Sequence, residues 1–219
     1  MDTQTRTALV AGASGLVGGF LLDALLEAPQ YREVHSLGRR PLPRQHPKLV
    51  QHTVDFARLG GEALPPAQDA FCCLGTTIKK AGSQEAFRAV DHDAVLAFAS
   101  AAKKAGVQRF LVVTALGSDA RSRVFYNRVK GETEEALKTM GFESLVILQP
   151  SLLLGERAES RPGERAAIIA SRVLAPLLRP LASRPIEART VARAMVALAQ
   201  AAPQGVRVAP SGELQQLGR

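Results

Sequence analysis

Gly12, Gly15 and Gly18 stand between an apolar run, Thr7–Ala11, and a helical stripe carrying Leu16, Val17, Phe20, Leu21 and Leu25. A strand that turns within a few residues into a helix needs this spacing. The first glycine allows the tight turn, the second a close approach of backbone to ligand, and the third close helix–strand packing. The helix then opens with N–H groups that have no partner of their own, which suits a pyrophosphate. Gly12, Ser14, Gly15, Leu16, Val17 and Gly18 are therefore the candidate contacts for a dinucleotide. The strand–turn–helix context lifts the pattern above a chance glycine motif.

The remainder alternates strand and helix. Val34–Leu37, Leu49–Val54, Ala70–Leu74, Phe110–Val113 and Leu145–Leu148 read as strands, with Val206–Ala209 as a last one. Helices are expected over 84–104 (closed by Gly106), 123–140 (closed by Gly141), 164–178 and 190–201. Such alternation implies an α/β fold, a doubly wound parallel sheet between two helix layers. No repeat or linker divides the chain. It reads as one domain over residues 1–219, with 150–219 as a small substrate-side region. The charged stretch Gly155–Pro162 is either a substrate loop or an ordinary surface turn.

The composition excludes several functions. The 219 residues are 46% hydrophobic and 22% charged, ordinary for a globular chain. A net charge of +8 raises nucleic-acid binding. The basic residues are dispersed, however: residues 156–193 hold eight Arg among four Glu, and aromatics are 5% with no Trp to stack on bases. Cys72 and Cys73 are adjacent and would face opposite sides of a strand, so they form no disulfide. His35, His46, His52 and His92 lack metal-ligand spacing, so no metal site is expected. No apolar run approaches the roughly 18 residues of a membrane span. Residues 1–6 lack the basic-then-apolar pattern of a secretory leader, which implies the cytosol.

The end of the second strand selects the cofactor. An NAD site places an acid there for the ribose 2′-hydroxyl, whereas this chain has Leu37-Gly38-Arg39-Arg40. Guanidinium groups match a 2′-phosphate, so the expected cofactor is NADP(H). Asp55, followed by Phe56, either accepts a bond from the adenine amino group or caps a local helix. Leu74-Gly75-Thr76 ends the fourth strand, where ligands lie in an open α/β sheet, and Gly75 would let the cofactor approach.

Tyr126 and Lys130 are spaced i, i+4 on one helix face. A phenol titrates near 10 and is a poor proton-transfer group at neutral pH, but a neighbouring ammonium favours its ionised form. Such a pair can protonate a carbonyl oxygen, or deprotonate an alcohol, as hydride moves to or from nicotinamide.

With these residues the chain resembles an atypical short-chain dehydrogenase/reductase, similar to the Tat-interacting-protein-like oxidoreductases of the NAD(P)H-binding group. The resemblance is carried by the glycine turn, Cys73–Thr77, Val113–Asp119, Tyr126–Glu132 and Gln149-Pro150-Ser151. It implies a catalytic set of a Ser or Thr with Tyr126 and Lys130, Lys130 also holding the nicotinamide ribose. Thr114 is the matching hydroxyl, with Ser118 or a purely structural Thr114 as alternatives; the next position, where the family often has Ser, is Ala115. Pro150 matches the loop beside the nicotinamide. Asp91-His92-Asp93 reads as an exposed helix face, near the cofactor or a subunit contact. The expected function is an NADP(H)-dependent oxidoreductase of small carbonyls or alcohols, or else a non-catalytic NADP(H) sensor. A homodimer through the Tyr126 helix is the superfamily's pattern. No nucleic-acid or membrane partner is expected.

Overall fold

The computed structural model describes residues 5–61, 63–155 and 184–219. Strand β1, Arg6–Ala11, is buried from Thr7 onward, as expected for an apolar strand covered on both faces. It pairs with β2 (Tyr31–Gly38) on one side and β4 (Asp69–Cys72) on the other. With β3 (Leu49–Thr53), β5 (Arg109–Val113), β6 (Ser144–Gln149) and β9 (Gly205–Pro210) they form a parallel sheet of seven strands, ordered β3-β2-β1-β4-β5-β6-β9. This is the Rossmann-like three-layer architecture. A second, two-stranded sheet joins β7 (Leu153–Leu154) to β8 (Ile186–Glu187).

One face of the sheet packs on α1 (Leu16–Glu27), α6 (Ala188–Ala201) and α7 (Ser211–Leu217), around Leu21, Leu25, Phe71, Val146 and Met195. The other carries α4 (Ala94–Lys104) and α5 (Phe125–Lys138), around Phe98, Phe110, Leu137 and Ile147. Short helices α2 (Ile78–Ala81) and α3 (Gln84–Arg88) lead into α4 through a π-helical turn, Ala89–Asp93. Cys72 and Cys73 do face opposite cores and are both free thiols.

Most expected elements are present with shifted ends. The fourth strand stops at Cys72 rather than Leu74, because Cys73 and Leu74 bend around the glycine turn. The helix expected over 123–140 runs from Phe125 to Lys138, and the one expected from 190 begins at Ala188. The β7–β8 pair joins segments far apart in sequence, and it and α7 carried no pattern strong enough to read. The expected helix 164–178, and all of the Gly155–Pro162 loop except Gly155, lie outside the described residues.

At the N-terminal edge of the sheet, Asp69 is fully buried. It accepts a 2.6 Å hydrogen bond from the Tyr31 hydroxyl, pairs with Arg109 and lies 3.5 Å from Arg6. Burial, reinforced by the Asp69 charge, pushes the Tyr31 phenol well above its ordinary value. This cluster ties four strands, β1, β2, β4 and β5, together at the end opposite the glycine turn.

Candidate functional site

The crevice between β1 and β4 is where the strand order reverses, the place at which open α/β sheets bind ligands. Gly12 lies there with φ +87°, a backbone conformation L side chains rarely adopt. A Cβ on it would come within 2.6 Å of the Cys73 carbonyl, and one on Gly18 within 2.1 Å of the Gly12 oxygen. The turn is thus wound tightly onto its own helix and onto the chain leaving β4. Gly15 caps α1 without a side-chain hydrogen bond, and the first turn of α1 holds no acid. Its N–H groups and dipole are left for an anion. Ser14 is exposed, Leu16 is half-buried against Gly155, and Val17 is buried in the core.

The second half of the site forms around Lys130. Its Nζ is 2.8 Å from Asp91 Oδ1, with side-chain exposures of 5% and 1%. The other Asp91 oxygen accepts a 2.8 Å bond from the Thr76 amide, and Thr133 Oγ1 donates to the Asp91 carbonyl at 3.0 Å. The π-turn wedges Asp91 between the loop after β4 and helix α5. Gly75 roofs the pair: a Cβ there would sit 3.3 Å from Asp91 Oδ1 and 3.7 Å from Lys130 Nζ. The expectation that Asp91-His92-Asp93 is an exposed helix face is corrected at Asp91; only Asp93 is exposed. Phe87, Ala94, Val95 and Phe98 are all buried at helical spacing around Asp91, and an acid on that stripe was the available signal.

Tyr126 is half-buried one turn before Lys130, its ring 5.4 Å from that of the fully buried Phe87. Thr114 is buried and donates its hydroxyl to the Leu148 carbonyl at 3.3 Å. Ser118 Oγ donates to the Ala115 carbonyl at 2.7 Å. Each candidate hydroxyl is therefore engaged by backbone rather than by the Tyr126–Lys130 pair. Leu74 and Phe56 pack partly buried on the α4–α5 core. Pro150 is buried, its carbonyl accepting from the Leu116 amide at 2.9 Å. Burial pushes the Cys72 thiol up to about 12, so no thiolate nucleophile stands at this edge.

Arg39 and Arg40 are exposed at the end of β2, and among the described residues neither forms an ion pair. No acid precedes them at that strand end. Asp55 is exposed, and its Oδ1 accepts from the Ala57 amide at 3.0 Å, the local capping role. Among the described residues no His/Cys/Asp/Glu group could hold a metal ion, and no helix is long and apolar enough to cross a membrane.

A glycine turn wound tightly at the head of α1, a helix N-terminus without a side-chain cap and a roofed lysine together fit a nicotinamide dinucleotide. The NAD(P)H-binding family model matches residues 12–202. The chain belongs to the NAD(P)H-binding family. Protein FMP52, mitochondrial, of Eremothecium gossypii is 34% identical over 215 residues, covering 96% of each chain. Protein HTATIP2 of Rattus norvegicus is 38% identical over 167 residues, covering 74% of this chain and 68% of that one. The fold is shared with MoeE5 in complex with UDP-glucose and NAD, at TM-score 0.69 and 18% identity over 97% of this chain and 80% of that one. Human epimerase family protein SDR39U1 with NADPH gives TM-score 0.65 at 19% identity, with the same coverage.

These findings correct one expectation. The residue pattern at 1–6 implies the cytosol, yet the fungal relatives are named mitochondrial. A missing secretory pattern bears only on secretion, so the cytosolic assignment does not stand.

Proposed function

We propose that the chain is an NADP(H)-dependent oxidoreductase acting on a small carbonyl or alcohol, with Tyr126 as proton donor and acceptor. The observation that carries this reading is the i, i+4 pair Tyr126 and Lys130, with Lys130 fixed by Asp91 beneath Gly75 beside the glycine turn. Gly12, Gly15 and Gly18, with the amides of Ser14, Leu16 and Val17, would hold the pyrophosphate. Arg39, assisted by Arg40, would meet the 2′-phosphate. Asp55 and Phe56 would border the adenine, while Leu74, Gly75, Thr76 and Pro150 would border the nicotinamide half. When bound, the nicotinamide supplies or accepts the hydride. Tyr126 would hold the substrate oxygen and pass its proton. Lys130 would orient the ribose and bias the phenol, and Thr114 remains the candidate third hydroxyl.

Two observations favour a second reading, an NADP(H) sensor acting through protein contacts. The Thr114 hydroxyl is occupied by Leu148, and the Lys130 charge is matched by Asp91. A homodimer is compatible with either reading.

Replacing Tyr126 by Phe separates them. The oxidoreductase reading expects NADPH affinity to survive and carbonyl turnover to fall by roughly 10² to 10⁴. Unchanged turnover would overturn the assigned role of Tyr126, and a wild type that reduces no carbonyl compound would put the sensor reading first.

A further inference from the structure

Exposed large apolar side chains are few among the described residues, and they are unevenly distributed. Four of the seven lie in segments that follow the C-terminal ends of β4, β5 and β6: Ile78, Leu116, Val124 and Leu152. Val124 is 58% exposed and caps the helix two residues before Tyr126; Leu152 is 60% exposed. The segments are fastened to one another and to the site. Leu116 donates its amide to Pro150, two residues before Leu152, and Leu152 accepts from the Ile186 amide at 2.9 Å. Thr76, two residues before Ile78, is tied to Asp91 and so to Lys130. Behind the phenol, Phe87 contacts both Phe125 and Tyr126. Tyr126 thus packs on an aromatic ring, and Val124 stands exposed two residues before it.

From the placement of these apolar side chains on the loops that carry the site we infer that the oxidoreductase site takes an uncharged apolar carbonyl compound, an aliphatic or aromatic aldehyde or ketone, rather than a nucleotide-linked sugar. The inference rests on the oxidoreductase reading and specifies its substrate class. Val124, Leu116, Leu152 and Ile78 remove the substrate's hydrocarbon from water. The reaction balances as hydride from NADPH to the carbonyl carbon and the Tyr126 proton to the carbonyl oxygen, giving alcohol and NADP⁺, after which the Tyr126 phenolate takes back one proton from water. Lys79 and Lys80 are also exposed beside Ile78, which makes an anionic substrate the competing outcome.

The test uses the full chain and Nile red as a neutral apolar probe. Octanol, glycerol and UDP-glucose compete for the dye, with NADPH affinity measured separately and octanal reduction followed in parallel. Octanol should displace the dye at concentrations at least roughly tenfold below glycerol, and V124D should weaken octanol by roughly tenfold while leaving NADPH affinity unchanged. L116D, on a different segment, should act likewise, so a folding defect in one variant does not decide the matter. Displacement by UDP-glucose as good as by octanol, or octanol binding indifferent to both variants, would overturn the inference. Conversion of a dimer to a monomer by V124D would assign this rim to a second copy and overturn it as well. Failure of NADPH to bind would sink the oxidoreductase reading. NADPH binding without variant-sensitive octanol binding would sink the substrate class alone.

Discussion

Lys130 Nζ and Asp91 Oδ1 meet at 2.8 Å in a site where neither side chain is more than 5% exposed. A charge removed from water this completely depends on its partner, and breaking such a pair by deleting one member costs about 3–5 kcal/mol. D91A and K130M should each destabilise by about that amount in urea unfolding. The double variant should be less destabilised than the two singles summed, because no unpaired charge is left behind. Additive losses would mean that the two side chains act independently. D91A should also free the Thr76 amide and loosen the loop beneath Gly75, weakening NADPH more than its effect on stability explains.

The glycine turn makes a graded prediction. G12A would require a side chain at φ +87° and 2.6 Å from the Cys73 backbone; G18A would drive a methyl to 2.1 Å from the Gly12 oxygen. Both contacts are with backbone, which cannot swing aside. Each variant should lose NADPH binding or fail to fold. G19A, whose nearest contact is 3.7 Å away, should bind NADPH as the wild type does and gain up to about 1 kcal/mol of helix stability. Equal behaviour of all three in a thermal melt and a cofactor titration would contradict the geometry.

The centre of the sheet is legible because β1, β4, β5 and β6 are covered on both faces and therefore appear as apolar runs bounded by turn residues. The glycine turn was legible because backbone collisions leave glycine as the residue that fits. The burial of Asp91 is not legible in the sequence. Its burial depends on Lys130, distant in sequence, and a π-turn at Ala89–Asp93 shifts the helix register where the acid points inward. The sequence does not decide the roles of Thr114 and Asp55 for a similar reason. A hydroxyl or a carboxylate in a loop satisfies local backbone or ligand equally well, and only the fold shows that Leu148 and Ala57 are within reach.

A pH effect is expected at the other edge of the sheet. His52 Nε2 lies 2.8 Å from His35 Nδ1, and His35 Nε2 lies 3.0 Å from Glu33. Burial, with repulsion from His35 as the second cause, lowers the His52 value below the ordinary 6.5; Glu33 opposes this. A histidine depressed in the folded state binds its proton more readily once unfolded. Its contribution is therefore present above about 6.5 and is lost as pH falls through the folded value. H52Q should flatten the decline in melting temperature between neutral and mildly acidic pH. An unaltered slope would show that the pair does not couple to folding.

The choice between NADPH and NADH turns on Arg39. It is exposed at the end of β2, follows Gly38 where an NAD site would carry an acid, and has no ion-pair partner among the described residues. A guanidinium with no carboxylate partner among those residues has no ion pair there to give up on meeting a 2′-phosphate. A charge-assisted hydrogen bond of this kind is worth about 1.5–3 kcal/mol. R39A should therefore weaken NADPH by roughly tenfold or more and leave NADH nearly unchanged, since NADH has only a hydroxyl at that position. R40A, one residue farther and held before Pro41, should have a smaller effect in the same direction. R39D should go further, repelling the phosphate while offering the ribose hydroxyl an acceptor, so that the preference inverts toward NADH. Parallel titrations of both cofactors against the wild type and the three variants decide it. Equal losses for NADPH and NADH in R39A would place the 2′-phosphate elsewhere.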